Sequence, residues 1–170
     1  MDVRGAESKR EWFVATVERY EKPLVAYAAR MLGSLDEARE VVQETFLRLW
    51  RADRAELAGR EAPWLFRVCR NRAIDGLRKE RRMKPTEQER IAASPDPGPG
   101  PAEIVEEGQR RERVIEQLET LPDNQREVLV LKFQQGLSYR QISRVTGLSQ
   151  SNVGYLIHQG ILALREQLAG

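Results

Sequence analysis

The stretch from Gly136 to Leu168 constrains the fold most, because its pattern is that of a helix-turn-helix. The apolar positions spaced to lock two short helices together are Ile142, Leu148, Val153 and Leu156. Gly147 falls where the chain must turn, and glycine adopts positive φ without steric cost. Ser149 or Gln150 then opens a second helix, whose first turn enters the major groove of DNA in this motif. The pattern favours DNA binding, with an ordinary two-helix corner as the alternative.

Composition narrows the chemistry of any site. The 28 basic and 26 acidic residues give a net charge of only +2, so a DNA contact must come from local clustering. With one cysteine, Cys69, and one histidine, His158, we expect no intramolecular disulfide, no metal site, no cofactor and no catalytic residue. No apolar run approaches the roughly 20 residues of a membrane span, and the first residues lack a signal-peptide core. We therefore expect a cytoplasmic protein without membrane insertion.

A proline- and glycine-rich tract divides the chain. Residues 84–111 contain the sequence SPDPGPGP and a surplus of glutamate, which predicts a flexible acidic linker. No segment has the alternating pattern of a strand, whereas apolar residues recur at helical spacing on both sides of the linker. The sequence predicts an all-α chain with two small helical domains, residues 1–83 and 112–170.

Three helices are predicted before the linker. The first carries an apolar stripe, and Pro23 should interrupt or kink it. The second begins at Ser34 or Asp36, and the third begins near Pro63. Their predicted inward residues are Ala38, Val42, Thr45 and Leu49 in the second helix, and Leu65, Cys69 and Ala73 in the third. After the linker, helices are predicted over Val114–Leu121 and from Asp123 onward, and in the last helix the inner stripe is Ile157, Ile161, Leu164 and Leu168.

Two helix faces carry candidate binding residues. One face of the second helix bears Glu37, Glu40, Gln43, Glu44, Leu47 and Trp50. Trp50 either anchors a protein interface or caps the local core. The third helix concentrates cations that could neutralise phosphates in a salt-dependent way, namely Arg67, Arg70, Arg72, Arg78, Lys79, Arg81, Arg82 and Lys84. Asn71 could hydrogen-bond a base, and Trp64 and Phe66 either stack on exposed bases or are buried.

In this order and spacing, the segments resemble a bacterial sigma factor of the sigma-70 family, in its extracytoplasmic-function (ECF) group. Asp36 to Arg51 (DEAREVVQETFLRLWR) is similar to the core-binding part of region 2. Ala62 to Arg82 (APWLFRVCRNRAIDGLRKERR) is similar to the part that melts and reads the minus-ten element. Leu121 to Ser143 (LPDNQREVLVLKFQQGLSYRQIS) resembles the start of region 4, which the helix-turn-helix completes.

The resemblance implies roles for matched positions. Those expected to dock on core RNA polymerase are Asp36, Glu37, Glu40, Gln43, Glu44 and Trp50. Those expected along the minus-ten element are Trp64, Arg67, Arg70, Asn71, Arg72, Asp75, Arg78, Arg81 and Arg82. Those expected at the minus-thirty-five element are Ser138, Tyr139, Arg140, Ser149, Gln150, Ser151, Asn152, Tyr155 and His158.

The connection from Arg51 to Glu61 would help hold a base flipped from the non-template strand. The linker would thread the RNA exit path, where its acidity would mimic nascent RNA. Promoter DNA, as a duplex and as a melted non-template strand, and core RNA polymerase are the implied partners, with an anti-sigma factor as a further candidate.

One departure from the family pattern concerns the recognition helix. Many relatives carry Lys and Arg there, whereas residues 153–164 of this chain contain neither. Phosphate anchoring should therefore be weak or come from Arg140, Arg144 and Arg165.

The first alternative function is a free-standing helix-turn-helix regulator, which leaves the acidic Trp50 helix without a role. The second is an enzyme acting on nucleic acid, for which one His and one Cys supply little.

Overall fold

The computed structural model describes residues 3–83 and 113–170, and both ranges are helical without a strand. The chain divides into two compact units, Met1–Asp96 and Pro97–Gly170. The predicted all-α class with two small helical domains is confirmed. The predicted linker, its acidity and Lys84 lie outside the described residues.

Three long helices build the first unit. They are α1 (Val3–Leu32), α2 (Leu35–Arg51) and α4 (Glu61–Met83), with the single-turn helix α3 (Arg54–Leu57) between α2 and α4. Each long helix packs against the other two. The prediction that Pro23 interrupts the first helix is wrong, because α1 runs through it. Leu24, Tyr27 and Ala28 are buried directly after the proline, and their packing outweighs the missing backbone hydrogen bond.

The ends of these helices follow local chemistry. Ser34 begins α2, and its hydroxyl accepts a hydrogen bond from the backbone N–H of Glu37 at 3.3 Å. Gly33 ends α1 with φ of 68°, where a side chain would be strained. Helix α4 begins at Glu61, two residues before Pro63. All seven predicted inward residues of α2 and α4 are buried, so the predicted inner faces of both helices are confirmed.

The second unit is a set of shorter helices. Residues 113–119 form α5, which stops two residues short of the predicted end. Helix α6 (Asp123–Leu129) continues as a π-helical turn, Val130–Gln134, and is followed by α7 (Tyr139–Thr146) and α8 (Gln150–Ala169). The predicted start at Asp123 is confirmed. The prediction that Leu168 lies on the inner stripe is wrong, since its side chain is 62% exposed and residues 165–170 are all exposed.

Helices α6 and α8 approach closely at Gly160. A Cβ atom built on this buried glycine would lie 2.7 Å from Cδ1 of Leu129, which is shorter than van der Waals contact between carbon atoms. The side chain of Leu129 therefore occupies the space that any larger residue at position 160 would need. This close crossing packs α8, the second helix of the helix-turn-helix, against α6.

Candidate polymerase-binding and nucleic-acid interfaces

Reciprocal caps and a glycine turn shape the helix-turn-helix. The hydroxyl of Ser138 accepts a hydrogen bond from the backbone N–H of Gln141 at 3.1 Å, and the Gln141 side-chain oxygen accepts from the Ser138 N–H at 2.8 Å. This capping box fixes the start of α7. Gly147 ends α7 with φ of 76°, as the sequence predicts.

The turn itself is tied by two serines. The hydroxyl of Ser143 donates a hydrogen bond to the backbone carbonyl of Leu148 at 2.5 Å. The hydroxyl of Ser149 accepts from the backbone N–H of Asn152 at 3.1 Å, which makes Ser149 the N-cap of α8. The two helices are thus held at a defined angle before any ligand binds.

The residues expected at the minus-thirty-five element are all exposed in the second unit. Two of them, Ser138 and Ser149, already use their hydroxyls as caps. Tyr155 is 60% exposed and Tyr139 is 41% exposed. The ring of Tyr139 lies beside Gly154 of α8, and the Lys132 ammonium sits 5.2 Å from its centroid. Lys132 is a cation near this face that sequence reasoning missed, because it lies in the preceding π-helical turn rather than in α8.

Helix α4 presents the cationic face. Among the residues expected at the minus-ten element, those exposed to solvent are Arg67, Asn71, Asp75, Arg78, Arg81 and Arg82, while Trp64, Arg70 and Arg72 are half-buried. The exposed guanidinium groups recur along the helix on the side away from Leu65, Cys69 and Ala73. Such a row can neutralise successive phosphates of a nucleic acid strand.

The interpretation of Phe66 as a base-stacking residue is wrong. Phe66 is fully buried and packs edge-to-face on Tyr27, with ring centroids 5.2 Å apart and planes at 81°. Its spacing from Leu65 and Cys69 puts it in the core of the three-helix unit. Trp64 is only half-buried, so part of its surface faces solvent.

An ion pair joins the two helices that carry the candidate sites. Arg72 of α4 donates hydrogen bonds to both carboxylate oxygens of Glu44 of α2, through Nε to Oε2 and through Nη2 to Oε1 at 3.0 Å. The hydrogen bonding that Glu44 accepts raises the pKa of Arg72 above its ordinary value. One predicted polymerase contact is thus engaged with one predicted DNA contact. The sequence gives no signal of this pair, because its members lie 28 positions apart.

The acidic face of α2 is open. Asp36, Glu37, Glu40 and Gln43 are exposed, and Leu47 is 58% exposed. Trp50 has features of both roles considered from the sequence, the interface anchor and the cap of the local core. It is 44% exposed, and its ring packs edge-to-face on Phe13 of α1 with centroids 5.0 Å apart. Trp50 is therefore held by the core on one side and available to a partner on the other.

The connection between α2 and α4 is ordered around α3. Asp53 caps α3 by accepting a hydrogen bond from the backbone N–H of Ala55 at 2.9 Å. Leu57 is buried, and Gly59 turns the chain with φ of 76°. Arg60 donates to the backbone carbonyl of Glu56 at 2.8 Å. The segment expected to hold a flipped base is thus a folded element with its own anchor in the core.

The single cysteine, Cys69, is buried, whereas the single histidine, His158, is exposed. Burial raises the pKa of the Cys69 thiol to about 12, against the opposing effect of a hydrogen bond with Thr45. Such a thiol stays protonated and acts as a small core residue. His158 is exposed on α8. Within residues 3–83 and 113–170, no group of three or more His, Cys, Asp or Glu is arranged to hold a metal ion.

No helix of the described part of the chain combines the length and the apolar character that crossing a membrane requires.

The chain matches the models of two regions of one protein family. Residues 16–83 match sigma-70 region 2, and residues 111–164 match sigma-70 region 4. The first match contains α2, α3, α4 and most of α1. The second contains the capped helix-turn-helix. The order of the two matches is that of the sequence segments described above.

Relatives extend these matches over nearly the whole chain. The chain is 27% identical to the ECF RNA polymerase sigma factor SigE of Mycolicibacterium smegmatis over 99% of its own length, and spans 66% of that relative. It is 30% identical to the ECF RNA polymerase sigma factor SigW of Bacillus subtilis, covering 92% of this chain and 88% of SigW. Among solved structures, CnrH in complex with the cytosolic domain of CnrY is similar, with a TM-score of 0.56 and 25% identity over 94% of this chain and 89% of that one.

Proposed function

The chain belongs to the sigma-70 family, in its ECF group, and from that premise we propose that it binds core RNA polymerase and directs transcription initiation at selected promoters. The family consists of non-enzymatic transcription factors, which accords with the expectation that the chain is not an enzyme. The observation that supports the proposal most is the pairing of a capped helix-turn-helix in one unit with an acidic Trp50 face and a cationic α4 in the other. A free-standing helix-turn-helix regulator would need only the first of these.

We assign polymerase docking to the open face of α2. Its exposed carboxylates and the half-exposed Trp50 form a rim of charge around an aromatic anchor, which is the composition of a protein interface. Glu44 contributes less directly in this proposal, because Arg72 already engages both of its oxygens.

We assign the minus-ten element to the exposed face of α4. Arg67, Arg78, Arg81 and Arg82 would bind phosphates, and Asn71 would read a base edge. The connection from Arg51 to Glu61 would hold one flipped base, whose unstacking costs a few kcal/mol that the pocket and phosphate contacts must offset.

We assign the minus-thirty-five element to α7 and α8. Gln150, Ser151, Asn152, Tyr155 and His158 offer neutral hydrogen-bonding and apolar surface at the amino-terminal half of α8. Gln and Asn favour adenine edges. Because residues 153–164 carry no cation, phosphate anchoring falls to Arg140, Arg144 and Arg165.

An anti-sigma factor is a further proposed partner. Its support is that the similar protein CnrH has been solved in complex with the cytosolic domain of CnrY. We place the protein's action in the cytoplasm, where polymerase and promoter DNA meet.

Reconstituted transcription tests the proposed function. Core polymerase lacking a sigma subunit should start at defined sites on a library of genomic fragments only when this chain is added. Run-off products that are absent without the chain would support the proposal. Core polymerase that initiates no more selectively with a folded, monodisperse preparation than without it would refute the proposal.

The assigned faces are tested in the same system. Glu40→Lys should abolish binding to core polymerase without loss of helicity, measured by pull-down and circular dichroism. Asn71→Ala should leave core binding intact and lower open-complex formation, measured by permanganate reactivity of unpaired thymines. Normal core binding by Glu40→Lys would contradict the docking face.

A further inference from the structure

The amino-terminal part of α1 carries contacts outside the family match. That match begins at residue 16, yet α1 begins at Val3. Ser8, Lys9, Trp12 and Phe13 are half-buried, whereas Glu7, Arg10, Glu11 and Val14 are exposed. Positions 8, 9, 12 and 13 share one face of a helix. This face, which we call the brace, is therefore packed against a neighbouring element.

The brace contacts the connection between α2 and α4 near both of its ends. Nη1 of Arg54 in α3 donates hydrogen bonds to Ser8, to its backbone carbonyl at 3.2 Å and to its hydroxyl. Nε1 of Trp12 donates to Oε1 of Glu61, the first residue of α4, at 3.2 Å. Ser8 and Arg54 are 46 residues apart in the sequence, and Trp12 and Glu61 are 49 residues apart. These two contacts supplement the local cap at Asp53 and the buried Leu57.

The brace also contacts the candidate polymerase anchor. The ammonium of Lys9 lies 5.5 Å from the centroid of the Trp50 ring, within the range of a cation–π interaction. Phe13 packs edge-to-face on the same ring. One helical segment thus holds Trp50 and the adjoining connection together.

An open surface depression lies between the brace and the connection. Its volume is about 590 Å³, and its lining includes Lys9, Arg51 and Arg54 together with small side chains at Ala52, Ala55 and Ala58. The carboxylate of Asp53, which also lines it, accepts the capping hydrogen bond of α3. With three cationic side chains and one carboxylate, this lining suits an anionic, unpaired nucleotide rather than a cationic ligand.

We propose that the brace is a positioning segment for base capture: through Ser8 and Trp12 it holds the connection from Arg51 to Glu61 in the shape that receives a flipped nucleotide. This inference rests on the proposed function, because it presumes that the connection captures a base. Ser8 and Trp12 act through Arg54 and Glu61 and do not themselves need to touch DNA. Without the brace, α3 would keep its cap but lose its tie to α1.

A variant that removes a single hydrogen bond tests the brace. Trp12→Phe keeps an aromatic ring but loses the N–H that Glu61 accepts. Glu11→Ala changes the neighbouring exposed residue and is the matched control. Holoenzyme is bound to two probes made from a promoter found by run-off mapping: a premelted duplex with all bases present, and the same duplex with an abasic site at each minus-ten position in turn. The measured quantity is the ratio of the two dissociation constants.

We expect the wild-type chain to prefer the intact base at one position. Trp12→Phe should reduce that preference about threefold to tenfold, which is the range for the loss of one ordinary hydrogen bond. Affinity for abasic DNA and for core polymerase should change less than about twofold, and Glu11→Ala should match the wild type. In a Glu61→Ala background Trp12→Phe should have no further effect, whereas Glu61→Gln, which keeps an acceptor, should preserve the preference.

Several outcomes would refute the proposed role of the brace. Trp12→Phe could retain the wild-type preference, or it could weaken binding to intact and abasic DNA equally, as a general loss of structure would. A wild-type holoenzyme that initiates selectively but shows no preference at any position would refute base capture, and the brace with it. Failure of the proposed function itself is a separate result, because no run-off product would then appear.

Discussion

The cationic helix α4 and the helix α8, which we propose bind the same promoter DNA, present two different surfaces. In α4, exposed arginine side chains occur at Arg67 and again towards the end of the helix at Arg78, Arg81 and Arg82. In α8, the exposed face over residues 153–164 has no Lys or Arg and offers Tyr155 and His158 instead. Phosphate attraction supplies most of non-specific affinity, whereas contacts to base edges supply selectivity. We therefore propose that phosphate affinity comes mainly from the first unit and that α8 contributes mainly through contacts to bases.

The units also differ in how they hold their candidate residues. In the first unit, side chains from distant positions pair, as Arg72 does with Glu44 and Trp50 with Phe13. In the second, the side-chain caps at Ser138 and Ser149 and the turn at Gly147 fix the ends of α7 and α8 locally. Binding surfaces of the first unit should therefore be more sensitive to single substitutions in other helices.

The largest effect in this comparison is expected when an exposed aromatic residue of each unit is replaced. Trp50→Ala in the first unit should weaken core polymerase binding about 100-fold, as expected for a buried tryptophan anchor. Tyr155→Ala in the second unit should leave core binding unchanged within about twofold. Both variants are measured by competition for core polymerase with a labelled wild-type chain.

Phe13→Ala separates the two contributions of Trp50. It removes the edge-to-face partner but leaves the exposed indole surface, so core binding should fall far less than in Trp50→Ala. Equal losses in the two variants would mean that Trp50 matters through packing in the first unit rather than through a polymerase contact.

The second expected effect compares a glycine in each unit. A Cβ at Gly76 of α4 meets nothing within 4 Å, whereas one at Gly160 of α8 lies 2.7 Å from Leu129. Gly76→Ala should stabilise the first unit by about 0.5–1 kcal/mol through helix propensity. Gly160→Ala should destabilise the second by about 1 kcal/mol, because overpacking exceeds that gain.

Urea unfolding of the full chain, followed by far-ultraviolet circular dichroism, measures both changes in the free energy of unfolding. Stabilisation by Gly160→Ala would show that Leu129 changes rotamer at little cost. The close crossing of α6 and α8 would then not depend on the glycine.

Local chemistry made much of this architecture predictable from the sequence. Ser34, Gly147 and Ser149 begin or end helices where their side chains or φ angles demand it. The inner faces of α2 and α4 follow from helical periodicity. The same periodicity misplaced Leu168, because it identifies an apolar stripe but not how far the neighbouring helices extend to cover it.

Contacts between distant positions were not predictable. The pair of Arg72 with Glu44, the brace contacts of Ser8 and Trp12, and the cation Lys132 near α8 depend on how helices meet, which no single-helix pattern encodes. For Phe66, the packing between helices excludes a role that the sequence had allowed. An aromatic residue in a cationic helix is compatible with base stacking until the packing of α1 against α4 places it beside Tyr27.

The third prediction sharpens the electrostatic difference between the units. Arg81→Gln in α4 should reduce the slope of log affinity against log salt concentration by about one, since one phosphate contact is lost. Gln150→Ala in α8 should lower promoter affinity by about 1 kcal/mol with the slope unchanged. Holoenzyme binding to promoter DNA is measured over a series of salt concentrations. A reduced slope in Gln150→Ala would mean that the start of α8 binds phosphate and that the two surfaces differ less than proposed.

The smallest expected effect concerns the ion pair between the two faces of the first unit. The side chains of Arg72 and Glu44 are 42% and 45% exposed, so solvent screens the pair and its coupling should be about 0.5 kcal/mol. A double-mutant cycle with Arg72→Ala and Glu44→Ala, read by urea unfolding, measures that coupling. Glu40→Ala, one turn earlier on α2, is the control and should show no coupling to Arg72→Ala.

The same variants decide what Glu44 does. If the pair acts within the unit, Arg72→Ala and Glu44→Ala should lower core affinity and promoter melting together, because each releases the other from its position. If Glu44 contacts polymerase directly, Glu44→Ala should lower core affinity by itself while Arg72→Ala leaves it unchanged. The second result would show that Glu44 belongs to the docking face. The proposed polymerase-binding residues of the first unit would then not depend on pairing with another helix, and in this respect the two units would be alike.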